Sequence, residues 1–353
     1  MTRYEPRNGH YLEGWPSAGP EGIRRTKGSG WQMPSPRGHA ESYILHWKGG
    51  RAVDGTGLEN RNTLTGIVGS NPTPSARWVC SGHMVRIKFI VQYKGTHYVG
   101  WQVQPSGITI QAVLQKKLYQ LLQVPINVIG SGRTDSGVHA LAQVCHFDLP
   151  CKANPRFLKN LKFLNHSLNR ILPPDIAVYE MKKVVSTFHS QNLAQKKWYD
   201  YFILNSSTPS PFLSDYTWQI PVALDILAMK KAAKILEGKH DFKAFAASDG
   251  DAKTSVRKIF QVKISVIKKH PLLGLDVFVQ GILHPGSKLI KISFCGNGFL
   301  KHMVRNLTGT LVDVGKGKMK PLAVKQILKS RDRKKAGITA PARGLVLRKV
   351  LYR

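Results

Sequence analysis

Between two apolar, strand-like segments, Val124-Pro-Ile-Asn-Val-Ile129 and Val138 to Phe147, the chain carries Gly130-Ser-Gly-Arg-Thr-Asp-Ser-Gly-Val-His139. No other stretch limits the fold so tightly. Glycines at 130, 132 and 137 and almost no bulk add little to a core, and each costs backbone entropy unless a tight conformation needs it. Two readings fit these residues. One is a Gly-rich hairpin turn in which Asp135 caps its own backbone. The other is a short loop that mounts polar groups between two strands, where chemistry is commonly placed. A dinucleotide fingerprint does not fit, because a strand follows and no helix N-terminus is there to receive a pyrophosphate.

Charge narrows the function class. The 353 residues hold 53 basic and 20 acidic side chains, a formal net charge of +33. That excess exceeds what solubility requires and points to a polyanionic partner. The basic residues are scattered along the chain, which suggests a broad binding surface and not a tail. No apolar run approaches the ~20 residues of a spanning helix, so no membrane partner is expected. Cys80, Cys145, Cys151 and Cys295 form no CxxC pair and no Cys/His metal spacing. They read as reduced core thiols of a cytoplasmic protein, and no structural metal is expected.

Residues 1–83 differ in kind. They are rich in Gly, Pro, Arg and Trp and lack a sustained period of 2 or 3.6. A disordered basic extension is one reading; a mitochondrial-type presequence is opposed by the acids Glu5, Glu13, Glu21, Glu41, Asp54 and Glu59. A third reading treats residues 31–77 or so as a translated serine-tRNA gene, with Met84 as the true start. Gly57-Leu-Glu-Asn-Arg61 back-translates to an anticodon loop and its stem, and Gly69-Ser-Asn-Pro72 to a T-arm. A native N-terminus upstream of Met84 contradicts that reading. Without this segment 43 basic and 14 acidic residues remain, a net +29, so the charge argument stands.

The rest reads as α+β. Val85, Ile87, Phe89, Val91 and Tyr93 alternate as a strand. Thr109 caps a helix carrying Ile110, Val113, Leu114, Leu118, Leu121 and Leu122. Strands are predicted over 124–130 and 142–149, a helix from Pro155 to Asn169, and a strand from Ile176 to Val184. The second half is predicted to hold a strand at Tyr199–Leu204, a helix at Ala223–Leu236, and strands over 255–268, 274–284 and 289–295. A helix from Phe299 to Val314, another after Pro321 and a strand at Leu345–Leu351 complete it. The mixture predicts two related halves, 84–190 with the Gly-rich loop and 191–353 completing a cleft, with mixed, largely antiparallel sheets flanked by helices.

The ordered run Gly-x-Gly-Arg-Thr-Asp-x-Gly-Val-His-Ala, Gly130 to Ala140, resembles the signature of the TruA family of tRNA pseudouridine synthases. The likeness extends over essentially all of 84–353. It includes Tyr93-Lys-Gly-Thr-His-Tyr-Val-Gly-Trp-Gln102, Asn169-Arg-Ile-Leu-Pro-Pro-Asp-Ile176, Lys197-Trp-Tyr-Asp-Tyr201 and Gly238-Lys-His-Asp-Phe-Lys-Ala-Phe245. Asn297-Gly-Phe-Leu-Lys-His-Met-Val-Arg-Asn306 and Thr339-Ala-Pro-Ala-Arg-Gly-Leu345 continue it. The resemblance implies the pseudouridine synthase fold around a basic cleft, and an isomerase acting on uridines 38, 39 and 40 of the tRNA anticodon arm. It also implies a homodimer. The reaction cuts an N-glycosidic bond, turns the base and joins C5 to C1′ without redox change, so no cofactor is expected.

By that resemblance Asp135, the only acid of the loop, is the catalytic nucleophile. Arg305 matches the arginine that pairs with it, a cation that keeps a carboxylate ionised beneath a flipped base. Tyr199 matches the tyrosine that stacks on the target base. Arg133 matches the arginine that fills the vacated stack, and Thr134 and His139 are expected to support the loop. The bland alternatives are a phosphate-facing surface Arg305 and a core Tyr199, the latter a role expected of Tyr201. The chain departs from the family at Gln191, where an arginine is usual, and at Lys301, where an aromatic is frequent. The same chemistry on another RNA, or a catalytically silent tRNA-binding protein, are the competing functions.

Overall fold

The computed structural model describes residues 84–150, 153, 155–250, 252–268 and 286–352. The expectations for residues 1–83, for Cys151 and for a strand over 274–284 lie outside the described residues.

Strand β1 (Met84–Tyr93) forms as its alternation predicts, with Ile87, Phe89, Val91 and Tyr93 buried. Helix α1 (Ile110–Leu122) starts where expected, the Thr109 hydroxyl accepting the Ala112 N–H at 3.2 Å. The strand expected over 124–130 shrinks to β2 (Ile129–Gly130), paired with β3 (His139–Pro150). Side chains of α1 take the place of a strand partner: Gln111 donates to the Val128 carbonyl at 2.7 Å, and the Val128 N–H donates to Gln115 at 3.2 Å. The helix expected from Pro155 splits into α2 (Pro155–Lys159) and α3 (Leu161–Ile171). Asn160 restarts it by accepting the Phe163 N–H at 3.0 Å. Strand β4 (Ile176–Val184) has its predicted bounds.

The second half contributes β5 (Lys196–Asn205), β6 (Trp218–Ile220), α4 (Ile226–Ile235), β7 (Gly238–Asp241), β8 (Val256–Ile267) and β9 (Lys288–Gly296). Helices α5 (Met303–Gly315) and α6 (Ala323–Ser330) and strand β10 (Leu345–Leu351) follow. Two helix starts fall later than expected. Asp225 caps α4 through the Ala228 N–H at 2.9 Å, excluding Ala223. His302, with φ 60° and ψ 0°, turns the chain left-handed immediately before α5, excluding Phe299.

The described strands form one mixed sheet in the order β4-β1-β3-β10-β5-β9-β8-β7, with β2 beside β3 and β6 beside β5. Every pair is antiparallel except β10–β3 and β5–β6. The C-terminal strand thus joins strands from the two halves, and its short contact with β3 pairs Val346 with His139 and Leu347 with Ala140. The Gly-rich loop therefore ends at the seam of the sheet. Helix α3 packs on β4, and α4 packs on β8 and α5. Of the thirteen residues of α5, only Arg305 and Asp313 are not buried. A Cβ at its Gly309 would lie 1.7 Å from the Ile338 carbonyl oxygen, so only glycine lets segment 337–340 press against the helix.

Candidate active site

The Gly130–His139 loop is bracketed by the turn after β1. The Thr134 carbonyl accepts the Trp101 N–H at 3.1 Å, and the Gly137 N–H donates to Tyr98 O at 3.2 Å. The buried Tyr93 hydroxyl lies 2.8 Å from Thr134 Oγ1. His139, 1 % exposed, takes the Gly95 N–H on Nδ1 at 3.0 Å. Its Nε2 lies 2.9 Å from the Asp215 carbonyl and 3.0 Å from that of Arg343, so the proton sits on Nε2. Burial lowers the pKa of His139, which keeps it neutral in this bridge. Glycine is required at two contacts: a Cβ on Gly95 would sit 2.0 Å from the Val138 oxygen, and one on Gly130 would sit 2.6 Å from the Trp101 ring.

On this scaffold Asp135 is brought to the first turn of α5, 170 residues away in sequence. Arg305 Nη1 lies 3.2 Å from Asp135 Oδ2, and Arg305 Nε donates to the Ala340 carbonyl at 2.7 Å. Ala340 N–H in turn donates to Arg305 O, fixing the helix start to the Thr339–Leu345 segment. Asn306 extends that lock, its Oδ1 accepting from Arg333 at 2.9 Å and from Thr339 at 2.7 Å. The guanidinium is therefore held against Asp135 by the fold itself.

Tyr199, on β5 between Phe294 of β9 and Leu347 of β10, is 7 % exposed. Its ring meets Phe299 edge-on at 5.3 Å. Burial first, and the charge of Asp135 second, raise the pKa of its phenol and hold it neutral. Tyr201, two residues on, is fully buried and donates to the Pro341 carbonyl at 2.7 Å, a core tyrosine. Arg133 is exposed two residues before Asp135. Gln191 is exposed, and Lys301 forms a surface ion pair with Asp249 at 2.6 Å.

Three residues that sequence reasoning left without a role also belong to this site, two of them touching the loop and one touching Tyr199. His302 Nε2 lies 3.7 Å from Asp135 Oδ2. Lys197 donates to the Ser131 carbonyl at 2.6 Å, its pKa pushed down to about 8 by burial and then by Arg257. Phe299 abuts Tyr199, and two residues earlier Asn297 accepts the Lys258 N–H of β8 on Oδ1 at 2.9 Å. Each stands in a quoted motif, and its position there was the available signal. The contacts join segments 39 or more residues apart, so no spacing rule reports them. Among the described residues no group of three or more metal-ligating side chains is present, and no helix is long and apolar enough to cross a membrane.

A family profile described as tRNA pseudouridine synthase matches residues 89–189 and 232–353. The chain is 42% identical over 272 residues to tRNA pseudouridine synthase A of Myxococcus xanthus, covering 76% of this chain and 93% of that protein. It is 40% identical over 269 residues to the tRNA pseudouridine synthase A of Thermoanaerobacter sp. (strain X514), and 41% over 269 residues to that of Pelobacter propionicus (strain DSM 2379 / NBRC 103807 / OttBd1). Both matches cover 76% of this chain and 100% of the relative. With a profile spanning more than half of it and relatives near 40% identity covered almost end to end, the chain belongs to the TruA family of tRNA pseudouridine synthases.

Proposed function

We propose that this protein isomerises uridine to pseudouridine in the anticodon arm of tRNAs, at positions 38, 39 and 40, with Asp135 as the nucleophile. The observation that carries the reading is the Asp135–Arg305 pair at 3.2 Å, at the mouth of a loop whose backbone is tied down on both sides. Arg305 Nη1 and His302 Nε2 both approach Oδ2, which leaves Oδ1 to face a substrate.

The residues divide the work as follows. Extracting the base from its stem costs roughly a few kcal/mol, and Arg133, exposed at the loop tip, fills the vacated stack. The Tyr199 ring, backed by Phe299, supplies an apolar face for the turned base. Asp135 forms the covalent bond while Arg305 holds its charge and orientation. Thr134 and His139 keep the loop from yielding when the base is pulled in. The basic surface, +29 beyond residue 83, collects the tRNA backbone. We further propose a homodimer in the cytoplasm, with 84–190 and 191–353 as the two halves of the cleft and 1–83 outside the catalytic unit.

Pseudouridine mapping of bulk tRNA from cells with and without the gene tests the reading. Loss of pseudouridine at 38–40, restored by the wild-type gene and not by Asp135→Asn, is expected. Equal restoration by both contradicts it, and loss at other RNA positions assigns the chemistry to another substrate.

A further inference from the structure

Pseudouridine formation needs a proton removed from carbon as well as a glycosidic bond broken. Once C5 has joined C1′ it is tetrahedral and still bears its hydrogen, while N1 and C6 share a double bond. Some group must take that proton. The residues assigned above do not supply one. Asp135, set free as a carboxylate when C5 joins C1′, is paired with Arg305 and is a weak base toward a proton on carbon. Tyr199 is 7 % exposed and its phenol is held neutral. Arg305 is a cation spanning Asp135 and the Ala340 carbonyl, and Lys301 is turned to Asp249 at 2.6 Å.

His302 has the right place. Its Nε2 is 3.7 Å from Asp135 Oδ2, so the imidazole stands beside the carboxylate that the reacting base must approach. Its side chain is 32% exposed, which gives the ring access to water. Its backbone is informative independently. At φ 60° it occupies a left-handed conformation that disfavours L-residues, at a helix start where Ser, Thr, Asp or Asn would normally cap. The His302 side chain makes no cap hydrogen bond. The chain thus forgoes a cap and accepts a disfavoured conformation, and gains an imidazole beside the carboxylate.

We propose that His302 is the general base that removes the C5 proton of the rearranged base, a role that rests on the isomerase reading above. In this step the C5–H bond breaks and its proton passes to the unprotonated Nε2. Its electron pair forms the C5–C6 double bond, the N1–C6 double-bond pair moves to N1, and N1 takes a proton from water. The imidazolium then releases its proton to solvent, so nothing is gained or lost overall. The groups facing the ring suit this cycle. Burial, aided by Arg305 and Lys301, lowers the His302 pKa and keeps the resting ring unprotonated, while Asp135 and Asp249 stabilise the imidazolium once formed.

The test uses tRNA transcribed with [5-³H]uridine or [5-²H]uridine, the full-length protein, and the variants His302→Asn and His302→Gly. Both replacements tolerate the left-handed conformation, so the helix start is preserved. Expected are a roughly 10²- to 10⁴-fold slower single-turnover release of tritium, a deuterium isotope effect larger than in wild type, unchanged tRNA binding, and partial rescue of His302→Gly by added imidazole. Wild-type rates in both variants overturn the proposal. So does slow turnover with an unchanged isotope effect and no rescue, which assigns His302 to tRNA positioning. Failure of the wild-type protein itself to release tritium overturns the isomerase reading and this step with it.

Discussion

Gly95→Ala tests whether the turn after β1 sets the position of Asp135. The added Cβ would lie 2.0 Å from the Val138 carbonyl oxygen and 2.6 Å from its carbon, where ordinary contact begins at 3.4 Å. One backbone must therefore move by roughly 1.4 Å, well beyond what soft packing absorbs. Neither is free to do so. Gly95 N–H is bonded to His139, Gly95 O accepts from Tyr98 N, and Val138 N–H is bonded to Asp135 O at 3.1 Å. Displacement of Val138 is thus passed to Asp135 through that hydrogen bond. Overpacking of this kind costs about 1–3 kcal/mol of stability, and a misplacement near 1 Å costs about 10²-fold in rate. Gly132→Ala is the milder comparison, since its Cβ meets only the Lys197 ammonium, at 3.1 Å, which has to give by a few tenths of an ångström and not by more than one. It is expected to change stability by less than ~0.5 kcal/mol. Urea unfolding and single-turnover pseudouridine formation measure both effects. Gly95→Ala with wild-type stability and rate would refute the bracketing of the loop.

Lys197→Met removes a half-buried cation, so it is expected to raise stability near neutral pH while slowing turnover about tenfold as the Ser131 limb loosens. The sign with pH is fixed: with a folded pKa of about 8 against an ordinary 10.5, the unfolded chain binds more protons between those values. Stability contributed at this site therefore rises with pH across that window, and the rise disappears in the variant when urea midpoints are compared. His146 acts in the opposite range. Burial, then Arg86, lower its pKa to about 4, and its Nδ1 accepts the Ser190 N–H at 3.2 Å. As pH falls from ~6.5 toward about 4 the unfolded chain takes the proton first and stability declines; His146→Gln is expected to flatten that decline. tRNA affinity measured by filter binding is expected to fall steeply between low and physiological salt, log K dropping in proportion to the number of phosphates contacted; a flat response contradicts the basic-surface reading.

Local signals read well wherever one segment determines its own geometry. The alternation of β1, the Thr109 cap, and the bounds of β4 and β10 were all legible in this way. The strand over 124–130 failed because Gln111 and Gln115 of α1 satisfy the Val128 backbone, a tertiary substitution that no period announces. Asn160 inside a helical pattern looks ordinary, and its capping role depends on the direction its side chain takes. At the candidate site the residue types of Asp135, Arg305 and Tyr199 were recoverable from motifs. Their meeting depends on β10 inserting between β3 and β5, which brings the loop end to the seam. His302, Lys197 and Phe299 stayed hidden for the same reason: their significance lies in what they face.

The pairing of Asp135 with Arg305 at 3.2 Å is the centre of the account, and Asp135→Asn tests it with almost no change of shape. The decisive measurement is single-turnover conversion of a tRNA carrying uridines at 38–40, with purified wild-type and Asp135→Asn protein in excess, alongside tRNA binding. Near-complete conversion by wild type is expected, with no detectable pseudouridine from Asp135→Asn, which still binds the tRNA. Conversion by Asp135→Asn at the wild-type rate would contradict the account.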